Sequence, residues 1–171
     1  MIVIRPNGLQ LLFARVVGFF ISLVHRAQCP FDRVVCICDY SDMARLEIEL
    51  GLRKVLPQWV QIHFLPVNNF NTVEAGFALG QLALTVGDAR TLFFVNVAPR
   101  KDDPTHRRTD NNGEPFVCGR LHNGSVVLST IGGHCLSWVR EQFEELRRVK
   151  DGAKRSQFRS RDWLIPVVRH L

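Results

Sequence analysis

Three short apolar runs, separated by two segments of helical periodicity, restrict the fold of this chain more than any other feature. The runs are RVVCICDY at 33–40, WVQIHFL at 59–65 and TLFFVNVA at 91–98. Between them lie DMARLEIELGLRKVL at 42–56 and TVEAGFALGQLALTV at 72–86. Alternation of this kind is typical of buried strands in a parallel sheet with right-handed crossover helices. The sequence therefore predicts an α/β domain of three layers, with a mainly parallel sheet and helices on both faces.

The second half of the chain is predicted to extend this sheet. PFVCGRL at 115–121 and SVVLST at 125–130 flank an Asn-Gly pair, which is a strong signal for an antiparallel hairpin. HCLSWVREQFEELRRV at 134–149 is predicted to be an amphipathic helix with basic residues in its last turn. Residues 98–114 are polar and turn-rich, and loops of this length are usually functional or mobile.

The amino-terminal part differs in character from the rest. We expect residues 1–30 to be an extension with an apolar helix, and residues 31–171 to be the α/β domain. Three interpretations of the apolar segment at 9–24 stay open: a packed or interface helix, an extension outside the fold, or a membrane anchor. The segment has only 16 residues and carries Arg15 near its middle, and both features disfavour a membrane span and a membrane partner.

Charge and cysteine content exclude some classes of function. The net charge is +6, but the basic residues are scattered apart from two carboxyl-terminal clusters, so we expect no nucleic-acid partner. Five cysteines without paired CxxC spacing indicate neither a disulfide framework nor a zinc site. We expect buried, reduced thiols, a cytoplasmic protein and no metal.

Ligands of an open parallel sheet bind outside the carboxyl ends of its strands, where three loops qualify: 39–42, 66–71 and 98–112. Asp39 has two interpretations, a carboxylate that accepts both hydroxyls of a ribose or the N-cap of the next helix. Asn68, Asn69 and Asn71 around Phe70 offer amides and an aromatic face to a planar base, or simply form a turn.

Five motifs occur in a fixed order: CDYS at 38–41, NTVEAG at 71–76, NVAPRKDD at 96–103 followed by Arg107 and Arg108, PFVCGRLHNGSVVLS at 115–129, and QFRSRDWLIPVVRHL at 157–171. This order resembles the amino-terminal domain of the S-adenosylmethionine hydroxide adenosyltransferases and the related fluorinases and chlorinases. The matching family motifs are TDFG, PFDIxxGA, DPGVGxxRR, FVGPDNGxxS and TFHGRDxFxPxAxHL. The resemblance covers about residues 32–171.

The resemblance implies a reaction and a set of residues. Water, hydroxide or halide attacks C5′ of the ribose, and methionine leaves from the sulfonium. Water or hydroxide fits this chain best, so adenosine and methionine are the expected products and no cofactor is implied. By position in the motifs, Ser160, Arg107 and Arg108 are the candidate catalytic residues. The ligand-binding candidates are Asp39, Tyr40, Phe70, Asn71, Asn123 and Phe158.

The same comparison keeps a second interpretation open. Ala98 stands where the hydroxide branch has an aspartate and the halogenating branch a tyrosine, and Arg159 replaces the histidine of FHGR. A catalytically silent subunit that binds a nucleoside, or is purely structural, is therefore the alternative. Family members are similar in forming trimers, so the resemblance implies a homo-oligomer such as a trimer. We expect this chain to lack the family's carboxyl-terminal domain.

Overall fold

The computed structural model describes residues 29–98, 114–149 and 159–171. Within these ranges the chain forms six strands and three α-helices. Their order is β1 (Arg33–Cys38), α1 (Met43–Val55), β2 (Gln61–Pro66), α2 (Thr72–Thr85), β3 (Thr91–Asn96), β4 (Phe116–Leu121), β5 (Val126–Thr130), β6 (Phe143–Arg148) and α3 (Arg159–His170).

The six strands form one mixed sheet in the order β2-β1-β3-β5-β4-β6. β1 pairs in parallel with β2 and β3, and β3 pairs in parallel with β5. β4 runs antiparallel to β5 and to β6. The predicted hairpin is confirmed, and its turn contains Gly124 at a φ of 86°, a conformation that glycine adopts without steric cost.

Alternation of side chains along the strands gives the sheet two apolar faces. On one face Ile37 and Phe93 belong to a buried cluster with Ala75 and Leu79 of α2. On the other face Phe94 stacks against Phe116 of β4, at a centroid distance of 6.2 Å. Phe116 in turn stacks on Trp163 of α3. The helices therefore cover both faces, as predicted, and burying each phenylalanine contributes about 1.5–3 kcal/mol to folding.

Helices α1 and α3 lie together on the second face. Gly51 of α1 meets Ile165 of α3 so closely that a Cβ built on Gly51 would lie 1.9 Å from Cδ1 of Ile165. Arg161 of α3 also forms an ion pair with Glu47 of α1, at 2.9 Å. The start of α3 is thereby fixed against the helix that follows β1.

The prediction that 59–65 forms a buried strand is wrong in one respect. The strand exists as β2, but only Ile62 and Phe64 are partly buried and its other four residues are exposed. The reason is position, because β2 is the last strand of the sheet and has a single neighbour, β1. Arg45 of α1 covers the Phe64 ring at 4.9 Å, a cation–π contact that shields this edge.

The predicted helix at 134–149 is also wrong. Residues 133–139 form turns, Arg140–Gln142 forms one 3₁₀ turn, and β6 follows. β6 pairs with β4 across Gly119, where a Cβ would lie 2.5 Å from the carbonyl oxygen of Glu145. Pairing at this close approach overrides the high helix propensity of the glutamates and arginines. The charged side chains instead protect an exposed sheet edge.

Two predictions concern segments outside the described residues. The apolar segment 9–24 and most of the polar segment 98–114 lie there, so both stay predictions. Among the helices in the described ranges, none is long and apolar enough to cross a membrane.

Candidate functional site

The strand order places a topological switch point at the carboxyl end of β1. β1 lies between β2 and β3, so α1 leads the chain to one side of β1 and α2 carries it to the other side. In open α/β sheets a crevice forms at such a switch point, at the carboxyl ends of the strands. The register places Cys38 beside Asn96. The residues that follow, Asp39 and Tyr40 on one strand and Val97 on the other, therefore lie at this crevice.

Asp39 is not the cap of the next helix. Asp42 takes that role, because its Oδ1 accepts the N–H of Ala44 at 3.0 Å. The Asp39 Oδ2 instead accepts the backbone N–H of Phe70 at 3.0 Å. No other described residue hydrogen-bonds the Asp39 carboxylate. The carboxylate thus links the loop after β1 to the loop after β2 and retains acceptor capacity.

Phe70 lies in this second loop in a rare backbone conformation. Its φ is 60°, in the left-handed region that side chains with a Cβ avoid at a cost of about 1–2 kcal/mol. The N–H bond to Asp39 stabilises this conformation, and the ring is 45% exposed. Strained residues of this type cluster at binding sites. An exposed aromatic residue is therefore tied to Asp39 through its backbone.

Asn71 is committed to the start of α2. Its Oδ1 accepts the N–H of Glu74 at 3.1 Å, and its Nδ2 donates to the Glu74 carboxylate at 3.0 Å. The backbone N–H and side-chain amide of Asn68 donate to the same carboxylate oxygen. These bonds, those from Asn68 first, lower the pKa of Glu74. The turn interpretation thus describes Asn68 and Asn71, whose amides serve the helix cap.

Ser160 of α3 contacts the carboxyl end of β3. It lies in the first turn of that helix, is 9% exposed, and accepts a hydrogen bond from Nδ2 of Asn96 at 2.7 Å. Tyr40 interacts with the same asparagine. Burial raises the pKa of Tyr40 strongly, the neighbouring Cys38 and Cys36 thiols raise it further, and the hydrogen bond with Asn96 acts in the opposite direction. Tyr40 is therefore a neutral phenol beside the Asn96–Ser160 pair.

β5 adds a fourth strand end to this edge, which the sequence did not predict because the direction of the hairpin was open. Thr130 Oγ1 donates to the carbonyl of Val97 at 3.1 Å, and the Cys135 thiol donates to the same oxygen at 3.6 Å. Burial raises the pKa of both the Cys135 and the Cys38 thiols to about 11. These thiols are protonated at neutral pH and are weak nucleophiles.

The five cysteines are all free, and four of them are buried. This agrees with the expectation of buried, reduced thiols. Cys118 is half-buried. Among the residues that the structure describes, no group of three or more histidine, cysteine, aspartate or glutamate side chains could hold a metal ion.

The structure does not bring Asn123 to the crevice. It lies in the turn before β5, and because β5 is parallel to β3 this turn is at the opposite edge of the sheet. Its Nδ2 donates to the carbonyl of Ala83 at 2.7 Å, and its Oδ1 accepts the N–H of Ser125 at 3.0 Å. Asn123 therefore ties the hairpin turn to the end of α2. The proposal that it contacts a ligand at the site is corrected on this ground.

The remaining candidates cannot be located. Arg107, Arg108 and Phe158 lie outside the described residues, as does the side chain of Arg159. Asp39, Tyr40, Phe70, Asn71 and Ser160 all lie at the carboxyl edge. Asn96, which links two of them, was missed, although its position as the last residue of a buried strand was readable from TLFFVNVA.

A groove of about 530 Å³ lies elsewhere, between α1 and α3. Its floor is apolar, with Leu50, Gly51 and Ile165, and its two basic and two acidic lining residues give no net charge. None of the candidate site residues lines it. We therefore place the candidate site at the strand edge, where polar groups and the switch point coincide, rather than in this groove.

Comparison with known proteins supports the fold and assigns no function. No family model and no curated protein matches the sequence. Among solved structures that match is the crystal structure of an uncharacterized conserved protein from Thermotoga maritima, with a TM-score of 0.61 and 18% sequence identity. The match covers 80% of this chain and 52% of that protein, so the chain spans about half its length. At this identity the likeness shows a shared α/β fold.

Proposed function

We propose that the crevice binds the adenosine part of S-adenosylmethionine. One observation carries this proposal: Asp39 lies at the switch point, is not used as a helix cap, and is bound by a single backbone N–H among the described residues. A carboxylate accepts hydrogen bonds only, which suits the two hydroxyls of a ribose. Hydrogen bonds to a charged group contribute about 1.5–3 kcal/mol each.

Phe70 supplies the second contact of this proposal. Phe70 is 45% exposed, and its backbone N–H donates to the same carboxylate that would bind the ribose. Stacking of a base on an aromatic side chain contributes about 1–3 kcal/mol. In this proposal the ribose lies on Asp39 and the adenine against Phe70.

The proposed reaction is hydrolysis. An oxygen of water or hydroxide bonds to C5′ of the ribose, the bond between C5′ and the sulfonium sulfur breaks, and methionine leaves with the electron pair. With water as the nucleophile, the extra proton passes to solvent, so the products are adenosine, methionine and a proton. Positioning and exclusion of bulk water supply most of the rate in such a reaction. Ser160 donates a hydrogen bond to the nucleophile, and Arg107 and Arg108 belong to the proposal through the resemblance alone.

Ala98 favours a second function, that of a catalytically silent subunit that binds adenosine. Ala98 follows β3 at the crevice, and its methyl group can neither accept a proton nor hold a water molecule. A subunit that binds adenosine without cleaving S-adenosylmethionine is consistent with this substitution. In either case we propose a homo-oligomer, since the resemblance implies that another part of the assembly completes the adenine site.

Calorimetric titration with S-adenosylmethionine and with adenosine tests the binding site. We expect both to bind the wild type, and Asp39→Ala to weaken both by about 10-fold or more, from the loss of charged hydrogen bonds. Asp39→Asn keeps an acceptor for the Phe70 N–H but removes the charge, so an intermediate loss is expected. Asp42→Ala is the matched control, because it removes a neighbouring carboxylate that caps α1.

The outcomes of this titration separate the hypotheses. Binding to Asp39→Ala as tight as to the wild type would contradict the site assignment. Absence of binding of either compound to the wild type would contradict both proposed functions. If binding is found, chromatography of the mixture after incubation distinguishes the hydrolase, which forms adenosine and methionine, from the silent subunit, which forms neither.

A further inference from the structure

We infer that Asn96 is a positioning residue that directs the Ser160 hydroxyl toward the nucleophile. This inference rests on the proposed function, because it concerns the hydrolysis of S-adenosylmethionine at the same crevice. Asn96 is the first residue of the motif NVAPRKDD, but the resemblance assigns it no role; the inferred role follows from the contact between its side chain and Ser160.

The fold fixes Asn96 in place on two sides. It is the last residue of β3, and the register places it beside Cys38 of β1. Its side chain is on the face where Phe94, two residues earlier, packs toward α3 through a row of stacked rings. The asparagine therefore lies between the sheet and the first turn of α3, where it meets Ser160.

The inference depends on which side chain donates in the hydrogen bond between Asn96 and Ser160. A serine hydroxyl has one proton to donate and two lone pairs that accept, whereas an amide nitrogen only donates. Since Nδ2 of Asn96 donates to the Ser160 oxygen at 2.7 Å, the hydroxyl proton of Ser160 stays available for another acceptor. An acceptor at position 96 would instead draw that proton away from the crevice.

The surroundings of the pair strengthen this effect. Ser160 is 9% exposed, so its hydroxyl acts where bulk water does not compete for it. Tyr40, which also interacts with Asn96, stays neutral because burial raises its pKa. A donor in this place orients the attacking oxygen behind C5′, and a misplacement of a reacting group by about 1 Å can lower kcat about 10²-fold.

A double-mutant cycle tests the inference. Asn96→Asp keeps the shape of the side chain but turns it into an acceptor, so the Ser160 proton is drawn to the carboxylate. We expect kcat for S-adenosylmethionine hydrolysis to fall at least about 10-fold, while KM and the affinity for adenosine change less than about 2-fold. Ser160→Ala should lower kcat similarly, and Asn96→Asp should have no further effect when Ser160 is already alanine.

Two controls accompany the cycle. Gln81→Glu places the same negative charge on an exposed position of α2 and should leave kcat unchanged. If Asn96→Asp does not fold, Asn96→Ala removes the hydrogen bond without adding a charge and completes the same cycle. Thermal unfolding of each variant identifies any loss of stability.

Each outcome decides the inference. Loss of kcat that is additive in the double variant would overturn it, because Asn96 would then act independently of Ser160. Wild-type kcat in Asn96→Asp would overturn it as well. If the wild type itself forms no adenosine, the proposed hydrolysis is overturned and this inference with it, and that result differs from an active wild type with an additive cycle.

Discussion

Replacing Phe70 with glycine should stabilise this protein relative to replacing it with alanine. Phe70 has a φ of 60°, and a residue with a Cβ in this region costs about 1–2 kcal/mol more than glycine. Glycine loses about 0.5–1 kcal/mol relative to alanine through the entropy of its unfolded backbone. Both variants lose the same ring, whose burial is incomplete because it is 45% exposed. We therefore expect the free energy of unfolding of Phe70→Gly to exceed that of Phe70→Ala by up to about 1.5 kcal/mol, with a central value of about 0.75 kcal/mol.

Urea denaturation at neutral pH measures this difference directly. Phe77 provides a matched control, because it is 55% exposed and lies within α2, where glycine is disfavoured. There the order should be inverted, with Phe77→Gly about 0.5–1 kcal/mol less stable than Phe77→Ala. If glycine is the less stable residue at both positions, the left-handed conformation of Phe70 carries no strain and the reasoning is refuted.

Three further predictions concern the surroundings of the site. Hydrogen bonds lower the pKa of Glu74 below its ordinary value of 4.5. The ionised Glu74 therefore stabilises the fold above that pH, and this stabilisation is lost as the pH falls. Between pH 5 and pH 3 the melting temperature of the wild type should fall more than that of Glu74→Gln. Asn123→Ala should lower the free energy of unfolding, measured by urea denaturation, by about 1–3 kcal/mol, because a carbonyl of α2 loses its partner. The variant should leave the affinity for adenosine unchanged, and a weakened affinity would place Asn123 at the site. Gly76→Ala should lower the free energy of unfolding by about 1–3 kcal/mol, because its Cβ would lie 2.2 Å from the carbonyl oxygen of His134. A free energy of unfolding equal to that of the wild type would contradict this packing.

The alternation of strands and helices was predictable from local pattern because each element between residues 33 and 96 carries its own period. The buried strands are continuous apolar runs, and α1 begins at an aspartate that caps it. What the pattern could not give is the order of the strands across the sheet. β2 was predicted as buried because its apolar residues resemble those of β1, but burial depends on neighbours and β2 has only one.

The segment 134–149 shows the limit of helical periodicity. Glutamate, arginine and leucine favour helices, yet FEELRR forms β6 because the edge of β4 offers hydrogen bonds and Gly119 allows close approach. This partner lies more than 20 residues earlier in the chain, so no local window contains it. The outcome is a case of tertiary pairing that overrides propensity.

The candidate site was predictable in part. The position of Asp39 after a strand marks it as a candidate, and the structure removes the cap interpretation by assigning the cap to Asp42, whereas ribose binding stays a prediction. The predicted third loop begins at residue 98, two residues beyond the strand end, and therefore does not include Asn96. The Asn96–Ser160 contact joins residues 64 positions apart, which depends on how α3 packs and not on any local signal.

One measurement tests the central claim most directly. S-Adenosylmethionine is incubated with the wild-type chain and with Asp39→Ala, and adenosine and methionine are quantified by chromatography. The account predicts equal amounts of the two products with the wild type and at least about 10-fold less with Asp39→Ala at limiting substrate. Equal product formation by both chains, or none by the wild type, would contradict the claim that this crevice cleaves S-adenosylmethionine.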